Sequence, residues 1–210
     1  MYSKLQYISQ GKTAEEQLNN MMRILDNGGK WIQLRFKNAE EKTLLALGEQ
    51  VKRKCESYQA TFIINDNVEL AAHLDADGVH LGLTDSGIKE ARLLLGNKKI
   101  IGGTANTLQQ VLQRIEEKCD YIGLGPYAFT ATKEKLSPII GLKGYREIMH
   151  TLKSLYCTIP VYAIGGIKAE DIRLIKQTGI YGIAVSGLLT EENIPKELIT
   201  QLNKTLYEFA

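Results

Sequence analysis

Short apolar runs rich in β-branched residues alternate along this chain with stretches whose hydrophobic positions recur at helical spacing. The apolar runs predict strands over Leu5–Ser9, Trp31–Phe36, Thr61–Asn65, Gly78–Leu81, Lys99–Gly103, Tyr121–Gly125, Pro160–Ile164 and Gly182–Ser186. The intervening stretches predict helices over Thr13–Asn27, Ala39–Tyr58, Val68–Leu74, Ser86–Leu95, Thr107–Lys118, Leu142–Leu155, Ala169–Thr178 and Pro195–Glu208, several with a polar first residue or a glycine stop. No Pro/Ser-rich linker divides the chain, so one domain over residues 1–210 is expected. Eight alternating βα units fit an α/β fold of the (β/α)8 or TIM-barrel type better than a doubly wound sheet. A flavodoxin-like sheet with extra units is the alternative.

Composition narrows the function classes. The chain has 210 residues, 44% of them hydrophobic, which is enough for a sizeable core. Its apolar runs fall short of the roughly 18 residues a membrane helix needs, and Met1-Tyr2-Ser3-Lys4-Leu5-Gln6 lacks the basic-then-apolar layout of a secretory signal. The expected compartment is the cytoplasm. Cys55, Cys119 and Cys157 are scattered without CxxC spacing, so they read as inert core thiols and not as a disulfide framework or a zinc site. A net charge of +2 with both signs interspersed leaves no basic stripe for nucleic acid. The expected partners are small anionic molecules, met by local groups; a homo-oligomer stays open.

In a barrel of this kind the chemistry sits where the strands end. On the second strand Gln33, Arg35 and Lys37 alternate with Ile32, Leu34 and Phe36, so the polar set shares a face. Pointing inward it would require an anion, because unpaired buried charge is costly; on a surface strand the same alternation would face water. Asn65-Asp66 after the third strand and His80 to Asp85 after the fourth bring two carboxylates to one rim. Asp66 and Asp85 together suit Mg²⁺, which takes one or two protein carboxylates plus waters and phosphate oxygens, although each singly also reads as a helix cap. His80 reads as a buried, hydrogen-bonded histidine beside the site, while His73 and His150 fall in helices.

The later strands add phosphate-binding groups. Thr104 and Asn106 follow the fifth strand, and the sixth runs into Gly125-Pro126-Tyr127-Ala128-Phe129-Thr130-Ala131-Thr132-Lys133. There the hydroxyls of Thr130 and Thr132 and the ammonium of Lys133 crowd into a short segment, suited either to a phosphate or, taken alone, to a solvated loop. Gly165-Gly166 after the seventh strand and Val185-Ser186-Gly187 at the eighth can present backbone N–H groups to a phosphate, as barrels often do. A lone Gly-Gly pair also makes an ordinary turn.

Taken in order, Gln33-Leu34-Arg35-Phe36-Lys37, Asn65-Asp66, Ala76-Asp77-Gly78-Val79-His80-Leu81-Gly82, Asp85, Gly125-Pro126, Thr130-Ala131-Thr132-Lys133 and Ala163-Ile164-Gly165-Gly166-Ile167 resemble the thiamine-phosphate synthase family over nearly the whole chain. The resemblance implies a Mg²⁺-dependent transferase that joins hydroxymethylpyrimidine diphosphate to hydroxyethylthiazole phosphate and releases diphosphate. It implies that Gln33, Arg35, Lys37, Asn65 and Lys133 hold the pyrimidine diphosphate and that Asp66 and Asp85 bind the metal. Thr104 would replace the family's usual serine, and Thr130, Thr132, Gly165, Gly166, Val185 and Ser186 or Gly187 would hold the thiazole phosphate. The family's reaction is a dissociative substitution through a pyrimidine-methyl cation, so the expected catalytic groups, Arg35, Lys37, Thr104 and Lys133, stabilise a leaving group. Leu83 for Gln, Gly103-Thr104 for Val-Ser, Asn106 for the His of many members and a strand-eight segment one residue short depart from the family pattern. A tautomerase-like isomerase and a non-catalytic binder of phosphorylated thiamine precursors are the alternatives.

Overall fold

The computed structural model describes residues 2–130, 137–190 and 196–208. Eight strands, β1 Leu5–Ile8, β2 Trp31–Leu34, β3 Thr61–Asn65, β4 Gly78–Leu81, β5 Ile100–Ala105, β6 Tyr121–Leu124, β7 Val161–Ile164 and β8 Gly182–Val185, form a closed barrel in sequence order. Every neighbouring pair is parallel, and the ring closes where Leu5, Gln6 and Tyr7 of β1 lie opposite Ile183, Ala184 and Val185 of β8. That closure excludes the flavodoxin-like alternative, because a doubly wound sheet keeps two open edges.

The helices are α1 Ala14–Asp26, α2 Glu41–Ser57, α3 Val68–His73, α4 Ile88–Leu95, α5 Leu108–Glu116, α6 Gly141–Ser154, α7 Ile172–Gln177, α8 Gly187–Thr190 and α9 Lys196–Glu208. Three have side-chain caps: Thr13 accepts from the Glu16 N–H at 3.1 Å, Asn67 from Leu70 at 2.8 Å and Thr107 from Gln110 at 3.2 Å. Apolar stripes such as Met21, Ile24 and Leu25 of α1 and Leu47, Val51 and Cys55 of α2 meet the outward strand residues Ile32, Leu34, Phe62 and Ile64 in one continuous shell. None of the helices described is long and apolar enough to cross a membrane.

The inward residues behave differently at the two ends of the barrel. Ile8, Trp31, Ile63, Tyr121, Tyr162 and Ala184 form a separate cluster inside the ring. Trp31 meets Tyr121 and Tyr162 edge-on, with ring centroids 5.0 and 5.2 Å apart, and these rings fill the N-terminal half. Polar inward residues then take over toward the C-terminal rim, with Gln33, Asn65, His80 and Thr104 following along their strands.

Three elements differ from the reading of the sequence. β2 stops at Leu34, because the Arg35 N–H turns to the Ser9 hydroxyl at 2.8 Å in place of a ladder carbonyl. β5 continues through its two glycines to Ala105, where Thr104 and Ala105 pair with Gly123 and Leu124. The short helix α8 follows β8 directly, too brief to leave a periodic signal.

Candidate active site

A cavity with about 850 Å³ of empty space, part of it open to solvent, lies at the C-terminal ends of the strands. Gln33 enters it from β2, Arg35 from the segment just after β2, Asn65 from β3, Thr104 from β5 and Thr130 from the loop after β6. Gly165 and Gly166 line it after β7, and Val185, Ser186 and Gly187 complete the wall after β8. Ten residues singled out from the sequence thus share one wall. Thr132 and Lys133 lie outside the described residues.

Arg35 is placed by its backbone. Its N–H donates to Ser9, and the buried Gln17 of α1 donates to its carbonyl at 3.3 Å, so β1 and α1 together aim the segment that leaves β2. Lys37 stands further out, with its side chain 57% exposed and its Nζ 3.9 Å from Oδ2 of Asp66. The strand-face alternation therefore holds for Gln33 and ends there, since Arg35 and Lys37 belong to the loop.

Asp66 sits at φ 66°, in the left-handed region, and its N–H donates to the His80 carbonyl at 2.9 Å. Asp85 is oriented by the Gly82 N–H, which donates to its Oδ2 at 2.6 Å. Burial, followed by the facing Asp85 carboxylate, pushes the Asp66 acid up to about 6, against the pull of Lys37 and Arg35. Two carboxylates that repel one another make a donor set for a hard cation; neither lines the cavity itself, and Asp66 shares with Lys37 a second groove that meets it at Asn65. Among the described residues no third acid, histidine or cysteine joins them, which leaves the remaining positions to water and substrate oxygens.

The two glycine-bearing loops are joined by backbone. Tyr127 and Ala128 donate to the carbonyls of Ile164 and Gly165 at 2.9 and 3.0 Å, which sets the β6 and β7 loops side by side. Gly166 has φ 68°, and a Cβ there would lie 2.5 Å from the Phe129 carbonyl, so only glycine fits this approach. Ser186 donates to Gln10 of the β1–α1 loop at 3.1 Å, and Gly187 begins α8, so both candidates for the strand-eight contact lie on the cavity wall.

Arg114 is a positioning residue the sequence reading passed over. Buried on α5, it donates from Nε to the Thr104 carbonyl at 3.1 Å and from Nη2 to the Gly82 carbonyl at 2.8 Å. It therefore ties the β5 rim to the β4 loop that carries Asp85. The available signal was a charge three residues after Val111 on an apolar face. Its position also accounts for Gly103: a Cβ there would meet Arg114 Cδ and Cys119 Sγ, each at 2.8 Å. Asn106 is similarly occupied. Its amide donates to the Gly125 carbonyl and accepts from the Ser137 hydroxyl, bridging the two ends of the β6–α6 loop.

The family model described as thiamine monophosphate synthase matches residues 5–189. Proteins named thiamine-phosphate synthase from Flavobacterium psychrophilum and Flavobacterium johnsoniae are 62% and 57% identical, covering 98% and 99% of this chain and 100% and 98% of theirs. The solved thiamine phosphate pyrophosphorylase from Pyrococcus furiosus superposes with a TM-score of 0.85 at 30% identity, over 99% of this chain and 96% of that one. With these matches spanning nearly its whole length, the chain belongs to the thiamine-phosphate synthase family.

Proposed function

We propose that this barrel makes thiamine phosphate by joining hydroxymethylpyrimidine diphosphate to hydroxyethylthiazole phosphate, with release of diphosphate. The observation that carries the reading is the single cavity in which Gln33, Arg35, Asn65 and Thr104 face Thr130, Gly166 and Ser186. Cationic and amide groups occupy one side, and hydroxyl and backbone donors the other, which suits two phosphorylated substrates held together. Such alignment turns a two-substrate reaction into a local one.

Expulsion of diphosphate places growing negative charge on the leaving oxygen. Preorganised donors that face that oxygen stabilise the transition state more than the bound substrate. Arg35, held at both its N–H and its carbonyl, is such a group, with Lys37 further out on the same rim; Lys133, outside the described residues, is the further cation that the sequence supplies. No described side chain is needed as a nucleophile, because the carbon–oxygen bond to diphosphate breaks first and the thiazole nitrogen then captures the pyrimidine-methyl cation.

Asp66 and Asp85 fit Mg²⁺ by number, hardness and mutual repulsion. When bound, the cation would neutralise the departing diphosphate as a Lewis acid.

The test is incubation of the purified protein with both substrates and Mg²⁺, with mass detection of thiamine phosphate and diphosphate. Thiamine phosphate formed in amounts matching substrate consumption is the expected result. No product under saturating substrates and metal would overturn the reading.

A further inference from the structure

We propose that a buried chain of hydrogen bonds through Gln6, Tyr121 and His80 fixes the direction of the Thr104 hydroxyl, so that Thr104 presents its proton to an acceptor atom of the substrate. The substrate half of this inference rests on the synthase reading. The direction of the chain rests on the hydrogen-bond geometry and on the burial of Tyr121.

The chain starts at Gln33, whose amide nitrogen donates to Oε1 of Gln6 at 3.5 Å. That contact orients the Gln6 amide, leaving its nitrogen, which can only donate, against the Tyr121 phenol oxygen at 3.2 Å. The Gln33 amide faces the same phenol oxygen. Tyr121 is fully buried, and burial holds its phenol far above the ordinary range, so the O–H remains intact. With its oxygen accepting from amides, its one proton goes to the other neighbour, Nδ1 of His80 at 3.0 Å.

The histidine passes this polarity on. A neutral imidazole that accepts at Nδ1 carries its proton on Nε2. Nε2 lies 3.0 Å from the Thr104 oxygen, which therefore accepts, and the hydroxyl proton is turned away from His80 toward the cavity that Thr104 lines. A phosphate oxygen or an aromatic ring nitrogen satisfies such a donor; an amino group does not. His80, Tyr121 and Gln6 are on this account positioning residues that act through Thr104. Their near-complete burial keeps water from the chain, so its direction follows from how the amides of Gln6 and Gln33 are turned.

Nitrogen NMR of the wild-type protein reads the polarity directly. His73 and His150 are exposed, so the buried ring of His80 is assigned by replacing each of those two with Gln. The expected spectrum shows His80 protonated at Nε2 and bare at Nδ1; protonation at Nδ1, or at both nitrogens, overturns the proposal. Kinetics supply the second arm. Thr104→Ser should keep kcat/KM within about threefold, whereas Thr104→Val and Tyr121→Phe should each lower it by about tenfold or more.

The double variant Tyr121→Phe/Thr104→Val should be no worse than Thr104→Val alone, because the tyrosine acts through the hydroxyl. Multiplying losses overturn it. If Tyr121→Phe fails to fold, the wild-type nitrogen shifts decide. A wild-type protein that makes no thiamine phosphate would defeat the synthase reading while leaving the tautomer measurement intact.

Discussion

Thr130 is the described hydroxyl of the β6–α6 loop that reaches the cavity wall. Thr130→Val keeps the volume and removes the donor, so thiazole phosphate KM should rise by the equivalent of about 1–3 kcal/mol while the KM for the diphosphate substrate changes less. Steady-state kinetics with each substrate varied in turn measure this, and a larger effect on the pyrimidine substrate would reverse the assignment of the loop. Asp85→Asn keeps the shape but removes one of the two facing charges. Turnover should fall at least about tenfold at limiting Mg²⁺, with thermal unfolding nearly unchanged, because the Gly82 N–H still finds an oxygen. A variant with wild-type metal dependence would remove Asp85 from the metal site.

Element by element, the rim depends on ties between neighbouring βα loops. Arg114 of α5 holds the Thr104 and Gly82 carbonyls together. Arg114→Leu would strand both acceptors, each costing about 1–3 kcal/mol when buried. Urea unfolding should show a stability loss of about 2–4 kcal/mol, and a loss below about 0.5 kcal/mol would mean that water replaces the guanidinium. Asn106 bridges Gly125 and Ser137 across the β6–α6 loop. Asn106→Ala should raise thiazole phosphate KM severalfold without altering Tm by more than about 2 °C, since the loop stem keeps its backbone bonds from Tyr127 and Ala128. Equal effects on both substrates' KM would argue against a loop-specific role.

Across the whole molecule the two ends of the barrel carry different burdens: chemistry at the C-terminal rim, stability at the aromatic N-terminal end. Lys176 belongs to the second. It is buried, donates to the Ile180 and Tyr181 carbonyls at 2.9 and 3.1 Å, and is pulled down to about 8 by burial and then by Lys4. Its ammonium is thus less favoured in the folded protein than in the unfolded chain, where it titrates near 10.5. Between those values the unfolded state binds more protons, so Lys176 makes stability rise as pH increases from about 8 toward 10. Chemical denaturation at pH 7.5 and 9.5 should show this increment in the wild type and its loss in Lys176→Met. An identical pH slope in the two proteins would contradict it.

The repeating alternation of β-branched runs and helical stripes was sufficient for the (β/α)8 fold, because its eight units each carry their own period and neighbour one another in space. The wall residues were legible for the same reason: a strand's C-terminal end is a position in sequence, and in a barrel all such ends meet. Boundaries were less so, as at β2, where a serine on β1 takes the Arg35 N–H and ends the ladder. What only the tertiary structure decided are contacts between residues far apart along the chain. Gln6 and Tyr121, separated by 115 positions, meet inside the barrel, and Arg114 reaches back 32 residues to Gly82. No local period encodes such pairs, since each depends on strand register and ring closure, and these long-range bonds set the polarity and the aim of groups whose identities the sequence already supplied.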